Sequence, residues 1–311
     1  MYSTVLKIFK MNGREKELMK KFFLPILAFC LLSFNVLADE IKLQLLNNVS
    51  EKISESIGLI VPGEGITEFN LEFNEHEEPS FSLLAVRDLD KQDNSNLFTQ
   101  FSLHNDDVSG DERYIANLGF GKRFLSSDKS MMWGVNSFLD FDLREEHARG
   151  SIGFEANASI LELNYNQYLA LTSKKTISGT DEQALGGSEY NLSSQIPYMP
   201  WAKINWQGYK HYADMAGAST KGDIYSMELA LNPHLQLDIS RDISNHEDGN
   251  KYAALLTFVY PPRENKPTLI DGLTSNDMFV KENMEDKLSG KVRRNNNIAV
   301  EIQGSVIITS K

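Results

Sequence analysis

The segment WGVNSFLDFDL, residues 133–143, sets two aspartates, Asp140 and Asp142, into a run of aromatic and aliphatic residues. Residues i and i+2 of a strand share a face, so the two carboxylates form a pair of the kind that serves acid–base chemistry. The competing reading is that the face is simply wet. Little else in the chain offers chemistry. The six histidines (His76, His104, His147, His211, His234, His246) are scattered. His211 is the one strand-borne candidate base, and no convincing serine partner accompanies it. The GFGK at residues 119–122 lacks the glycine spacing and following Ser/Thr of a phosphate loop; its small residues are expected to pack against a bulky group instead. No metal-ligand spacing and no cofactor motif occur.

The elements that must position the aspartates decide between the readings. The chain has 311 residues, 41% hydrophobic and 24% charged, which excludes a disordered class. Residues 19–38, MKKFFLPILAFCLLSFNVLA, carry two lysines, an apolar core, and Val36 and Ala38 at the −3 and −1 positions of a cleavage site. They read as a secretory signal cut between Ala38 and Asp39. Residues 1–18 have no role in such a signal and point to a start codon assigned too early. Cleavage removes the only cysteine, Cys30, so the exported chain has no thiol for disulfides, metal binding or nucleophilic attack. It also removes six Lys/Arg and two Asp/Glu from a chain of net charge −12, leaving it four charges more negative. That acidity excludes a nucleic-acid partner, which would need a basic patch.

From about residue 66 to 261 the sequence alternates apolar and polar residues, segment after segment, with turn residues between. Met131, Trp133, Val135, Leu139 and Phe141 share one face; Gly134, Asn136, Asp140 and Asp142 share the other. Twelve strands are expected, near 66–74, 80–88, 96–104, 112–123, 131–142, 148–157, 160–170, 188–196, 201–212, 222–231, 235–242 and 251–260. A soluble sandwich also alternates. Here, however, the polar faces carry acids and amides at strand centres, and no amphipathic helix is available to cover so many strands. Aromatics also gather near strand ends (Phe120, Phe141, Tyr168, Trp201, Tyr212, Tyr225, Phe258, Tyr260), as in interfacial girdles. The fold class expected is all-β, a twelve-stranded antiparallel transmembrane β-barrel. Closure leaves no open sheet edge. A mean hydropathy of −0.34 is no objection, because half of each strand faces water.

Turns after the sixth, eighth and tenth strands are short, whereas those after the seventh, ninth and eleventh are long and polar. Short turns are periplasmic in outer-membrane barrels, so residues 39–65 are expected in the periplasm. There, Leu45, Val49, Ile53 and Ile57 form one stripe of a short helix. Asn136, Asp140, Asp142, Glu155 and Glu162 are then expected to line the lumen, with Asp140 and Asp142 solvated and in need of no partner. An enzyme of the omptin outer-membrane protease type would match the Asp-x-Asp with an Asp-x-His, and no Asp-x-His occurs in the chain. The wet face is the better reading.

The residues also carry a family likeness. Residues 117–124 match an Asn-Leu-Gly-x-Gly-x-Arg-Phe strand, and residues 134–142 match a Gly-x-Asn-x-Phe-x-Asp-x-Asp strand. A charged turn and Arg149 follow, with Ser151 where glycine is usual. GGSEYNLSSQIPYMPWAKINWQGYKHYAD, NPHLQLDISRD and VRRNNNIAVEI continue the match, the last including Arg293, Arg294, Asn295, Asn296 and Asn297. Over residues 66–302 the chain resembles the translocator barrel of inverse autotransporters, the intimin and invasin family. The resemblance implies an outer-membrane barrel at residues 66–262, in contact with lipid and served by periplasmic chaperones and the barrel-assembly machinery. It also implies a linker at residues 263–311 that threads the pore and carries an adhesin able to bind a host or cell-surface receptor.

Only nine residues follow Ile302, so the passenger is expected to be truncated, lost or encoded in an adjacent frame. A stand-alone barrel with loop-mediated adhesion or a biofilm role is the alternative. Within the linker, residues 276–290 read as a helix with Asn276 as cap and Gly290 as stop. About 14 helical residues span roughly 21 Å, and the extended residues after them add roughly 40 Å. Together these exceed the ~25 Å apolar band. Arg293 and Arg294 are expected to meet inward acids such as Asp140 and Asp142 on the way.

Overall fold

The computed structural model describes residues 40–74, 78–108, 110–214, 219–245, 250–263, 265–302 and 305–307. The expected early start (1–18), the signal peptide (19–38) and its Ala38–Asp39 cleavage site lie outside the described residues, as do His76 and His246.

The period-2 alternation builds strands β1 (Gly65–Asn74), β2 (Ser80–Gln92), β3 (Ser95–Val108), β4 (Asp111–Leu125), β5 (Met131–Asp142), β6 (Ala148–Ala158) and β7 (Leu161–Ala170). Two short strands in the following loop, β8 (Lys175–Ile177) and β9 (Thr180–Ala184), precede β10 (Gly187–Ile196), β11 (Met199–His211), β12 (Thr220–Asn232), β13 (Leu235–Ser244) and β14 (Asn250–Tyr260). Leaving β8 and β9 aside, twelve strands pair in chain order, and β14 returns to β1 to close the barrel. Every one of these pairings is antiparallel. The expected all-β barrel of twelve strands is the fold observed.

Helix α1 (Glu40–Gly58) precedes the barrel. None of the described helices is long and apolar enough to cross a membrane; the barrel crosses with strands. The described residues from Ser54 onward make up one compact unit, and residues 40–53 fall outside it.

Turn chemistry sets the strand ends on one side. Between β12 and β13, Asn232 Oδ1 accepts the His234 N–H at 2.8 Å, closing a tight turn. Between β4 and β5, Asp128 accepts hydroxyl bonds from Ser126 and Ser130 while Lys129 adopts φ 56°. On the other side, Asp142 Oδ1 caps the β5–β6 turn by accepting the Arg144 and Glu145 N–H groups.

Along β5 exposure alternates without a break: Trp133, Val135, Leu139 and Phe141 face outward, and Gly134, Asn136, Phe138, Asp140 and Asp142 face inward. The outward row is the lipid-facing surface of the barrel. Six of the eight aromatics expected near the strand ends lie on the outward parity of their strands, although Phe258 among them is buried. Tyr168 and Trp201 instead face inward and are buried, which corrects the girdle reading at those two positions. For Tyr168 the reason is parity: it shares the inward face of β7 with Glu162, Asn164 and Asn166.

The chain does not leave the barrel after β14. Residues from 263 onward bond along its turn-side end, then enter the lumen. Trp201 Nε1 donates to Leu273 O at 2.9 Å, the Val280 N–H donates to Gln195 Oε1 at 2.8 Å, and the Glu282 N–H donates to Ser159 Oγ at 2.5 Å. Here the expected helix over 276–290 does not form. Only a 3-10 segment, Met284–Ser289, is helical, capped by Asn283 rather than Asn276 and ended at Gly290. The barrel wall takes backbone groups that a helix would have used internally, so tertiary hydrogen bonds override local propensity. Met284 and Leu288 then pack with Leu125 and Met132. At the far end, β15 (Val300–Ile302) pairs with β9, and β16 (Ser305–Ile307) pairs with β15. The result is a four-stranded sheet in the order β16-β15-β9-β8.

Candidate functional site: the occupied lumen

Two-residue spacing on β4, β5 and β6 delivers Asn117, Asp140 and Arg149 to one level of the barrel interior. Asp140 is wholly buried and saturated. Its Oδ2 accepts from Arg149 Nε at 2.9 Å and Arg294 Nη2 at 2.7 Å, and its Oδ1 accepts from Asn117 Nδ2 at 2.7 Å. The expectation of solvated, partnerless carboxylates at Asp140 and Asp142 is therefore corrected. The chain's own segment fills the space that water was expected to occupy, and a buried carboxylate without cationic partners would be costly.

Both guanidiniums also lie over aromatic faces, Arg149 on Tyr168 at 4.2 Å and Arg294 on Phe138 at 4.3 Å, which adds cation–π attraction in a dry setting. Phe138 has room because of Gly119 opposite it, where a Cβ would overlap its ring; a Cβ at Gly121 would meet Phe98. The bulky partner expected for GFGK is thus a pair of phenylalanines.

The wall grips the backbone of the segment as well as its side chains. The Val292 N–H donates to Gln100 Oε1 at 2.8 Å, and Asn166 Nδ2 donates to Arg293 O at 3.0 Å. The Asn295 N–H donates to Tyr168 Oη at 2.9 Å, Arg149 Nη2 donates to Asn295 O at 2.9 Å, and Asn117 Nδ2 donates to Asn296 O at 2.9 Å. Asn295 Oδ1 accepts the Asn297 N–H at 2.8 Å, which braces the turn of the segment from within. Val292 packs among Leu84, Val86, Phe98 and Phe138.

The remaining expected lumen residues are gathered along the same segment. Arg293 pairs with Glu228 at 2.5 Å, not with Asp140 or Asp142. Glu155 accepts from Arg123 at 2.9 Å and from Asn136 at 3.2 Å, and Arg123 donates onward to Gly290 O at 2.5 Å. Glu162 receives Lys203 at 2.7 Å and Lys287 at 2.5 Å.

At the loop end, Asp142 pairs with Arg113 at 3.2 Å, and Arg113 also forks onto Glu182 of β9. His147 Nε2 lies 3.3 Å from the same Glu182 carboxylate. Burial acts to raise the pKa of Glu182, but hydrogen bonds from Arg113 and His147 outweigh it and hold the carboxyl down at about 2.

Sequence reasoning passed over Arg113, Arg123 and Glu189, which accepts the Tyr168 hydroxyl at 3.1 Å, and it assigned Tyr168 to the girdle. The signal was available. Each sits on the inward parity of its strand, and a charged residue there needs a partner of opposite sign inside the barrel. His211 is buried at the loop end of β11 with its ring 5.5 Å from that of Tyr209, and neither ring nitrogen has a hydrogen-bond partner among the described residues.

Comparison with known proteins agrees with this geometry. The family model described as the inverse autotransporter beta-domain matches residues 33–296. An attaching and effacing protein homolog of Escherichia coli (strain K12) is 31% identical over 124 residues, covering 39% of this chain and 40% of the relative. The inverse autotransporter adhesin YeeJ of the same strain is 26% identical over 225 residues, covering 68% of this chain and 9% of the relative. The chain thus spans less than half the length of either. A solved structure from work on in-meso crystallization of membrane proteins shares the fold, with TM-score 0.62 and 20% identity over 76% of this chain and 99% of that one. With a closed twelve-stranded barrel and a family match over most of its length, this chain belongs to the inverse autotransporter β-domain family and is an outer-membrane β-barrel translocator.

Proposed function

We propose that residues 286–302 are the export linker of this translocator, held in the lumen after passing from the turn end to the loop end. The observation that carries the reading is the series of wall bonds to the backbone at Val292, Arg293, Asn295 and Asn296. A wall that binds backbone recognises an extended chain irrespective of most of its side chains, which suits a conduit for polypeptide.

In this reading the turns are periplasmic and the loop carrying β8 and β9 is external, so whatever follows β16 is presented outside. Chaperones and the barrel-assembly machinery are the partners that an outer-membrane strand protein requires, and a surface receptor is the partner of any adhesin carried beyond the barrel. We read the barrel as non-catalytic, because the Asp140–Asp142 pair is engaged by Arg149, Arg294 and Arg113 instead of facing a cleft.

An epitope tag placed after Lys311 tests the reading. It should be stained by antibody and cut by protease on intact cells. Access only after the outer membrane is permeabilised would defeat it.

A further inference from the structure

The segment inside the barrel is seated off centre. Inward residues of β3 to β7 such as Gln100, Asn117, Asp140 and Asn166 are fully buried against it. On β12, β13 and β14 the central inward residues are less covered: Ile224, Ser226 and Glu228, then Asp238, Ser240 and Asp242, then Lys251, Ala253 and Leu255 remain partly open to solvent, whereas Gln236 and Thr257 nearer the turn end are buried.

The register stacks these residues into levels. Ile224, Asp242 and Lys251 lie together near the loop end. Ser226, Ser240 and Ala253 follow, and then Glu228, Asp238, Leu255 and Glu72. Beyond that level, Glu228 and Gln236 line a cavity of about 1300 Å³ at the turn end of the barrel. The open residues thus run as a file from the loop end down to the level of Glu228; at the next level Gln236 and Thr257 are buried, and it is Glu228 that reaches from the file into the turn-end cavity.

The chemistry of the file is specific. Its middle level has only small side chains, Ser226, Ser240 and Ala253. That level continues around the wall through Asn205 and Ser193, both buried. Asn205 Oδ1 and Ser193 Oγ have no hydrogen-bond partner among the described residues. Neither atom is reached by solvent, so the open part of this level is confined to Ser226, Ser240 and Ala253.

The next level carries three carboxylates on strands spaced about 4.8 Å apart. Glu228 is matched by Arg293, whereas Asp238 takes its hydrogen bond from the neutral amide of Gln236 at 2.7 Å. Rings of Asp and Glu select cations in water-filled pores.

We propose that a water-filled conduit runs beside the seated segment along β12–β14 and passes small hydrated monovalent cations. Asp238 sets the sign of the selectivity, and the Ser226–Ser240–Ala253 level sets the width. The conduit exists with the segment in place, so it is distinct from export itself.

The test is electrical. The full chain is folded into planar phospholipid bilayers under a potassium chloride gradient, with heat-modifiable migration as the check on folding. A steady current with a reversal potential on the cation side is expected. Asp238→Asn should move that potential toward zero, and Ser240→Trp should lower the current severalfold, with folding retained in both. Ala184→Cys with Val300→Cys separates the conduit from excursions of the segment. These two residues are directly opposed across β9 and β15, at the pair next to the Leu185 N–H to Ala299 O bond. Currents that persist when this disulfide is closed support the proposal. Folded protein that is silent, an anion-side potential, or currents abolished by the disulfide would each overturn it.

Discussion

Arg294 and Asp140 form an ion pair in which neither side chain is exposed at all, Nη2 to Oδ2 at 2.7 Å, across 154 residues of sequence. Arg149 reaches the same Oδ2 from the neighbouring strand. One carboxylate therefore ties the wall and the segment inside it to a common point. A buried pair adds little against a well-packed apolar replacement, but removing one member is expensive.

Asp140→Asn should accordingly destabilise the barrel by about 3–5 kcal/mol, because two guanidiniums then face one amide. A urea titration read by heat-modifiable gel migration measures this. A variant with wild-type stability would mean that Asp140 is solvated after all, as its sequence context alone suggests.

Gly119 is held small by the ring of Phe138. Gly119→Val should cost about 1–3 kcal/mol through overpacking, and less than that when introduced into a chain that already carries Phe138→Ala. Full additivity of the two single costs in the double variant, in the same titration, would show that the two positions do not press on each other.

Val135, central in β5 and half exposed on the lipid side, is the opposite case. Val135→Arg should cost about 2–4 kcal/mol in a bilayer. Refolding yields into vesicles provide the measurement. A cost near zero would place this row of residues outside the apolar band.

Acid should loosen the sheet at the loop end before the barrel itself. Glu182 has its folded pKa near 2 against an ordinary 4.5, lowered by Arg113 and His147 against the pull of burial. A depressed carboxylate contributes stability above its unfolded pKa and loses it as pH falls through the folded one. Protease access to residues 171–186 should therefore rise between about pH 4.5 and pH 2. Glu182→Gln should show raised access already at neutral pH, with no further rise across that window. A pH profile identical in the two chains would remove Glu182 as the cause.

The strands were legible because side-chain direction in a strand has period two, so Trp133 through Phe141 declare their face without any knowledge of neighbours. Tyr168 was misread where position near a strand end was weighed above that same parity. The interior was harder for a different reason. Whether Asp140 is wet depends on what stands opposite it, and the occupant lies 154 residues away. The pattern VRRNNN showed that cations travel with the segment. Sending Arg293 to Glu228 and Arg294 to Asp140 required the seating depth, which no local signal encodes. The absent helix over 276–290 has the same origin, since Gln195 and Ser159 bind its backbone from the wall.

A closed ring with its own tail drawn through it is a lasso, and a lasso imposes an order of events. The seam between β1 and β14 seals the ring, and the chain that leads on from β14 crosses the turn end before it enters the lumen. Either the seam zips up around a tail already lying across it, or the free tail passes through a finished hoop. The second route admits only an unfolded tail, because the filled interior has no width for a folded body. Any folded mass beyond β16 must therefore acquire its structure after passage, or else the seam must be the last contact of the barrel to form. The β1–β14 seam is in that sense a clock for assembly as well as a join in the wall.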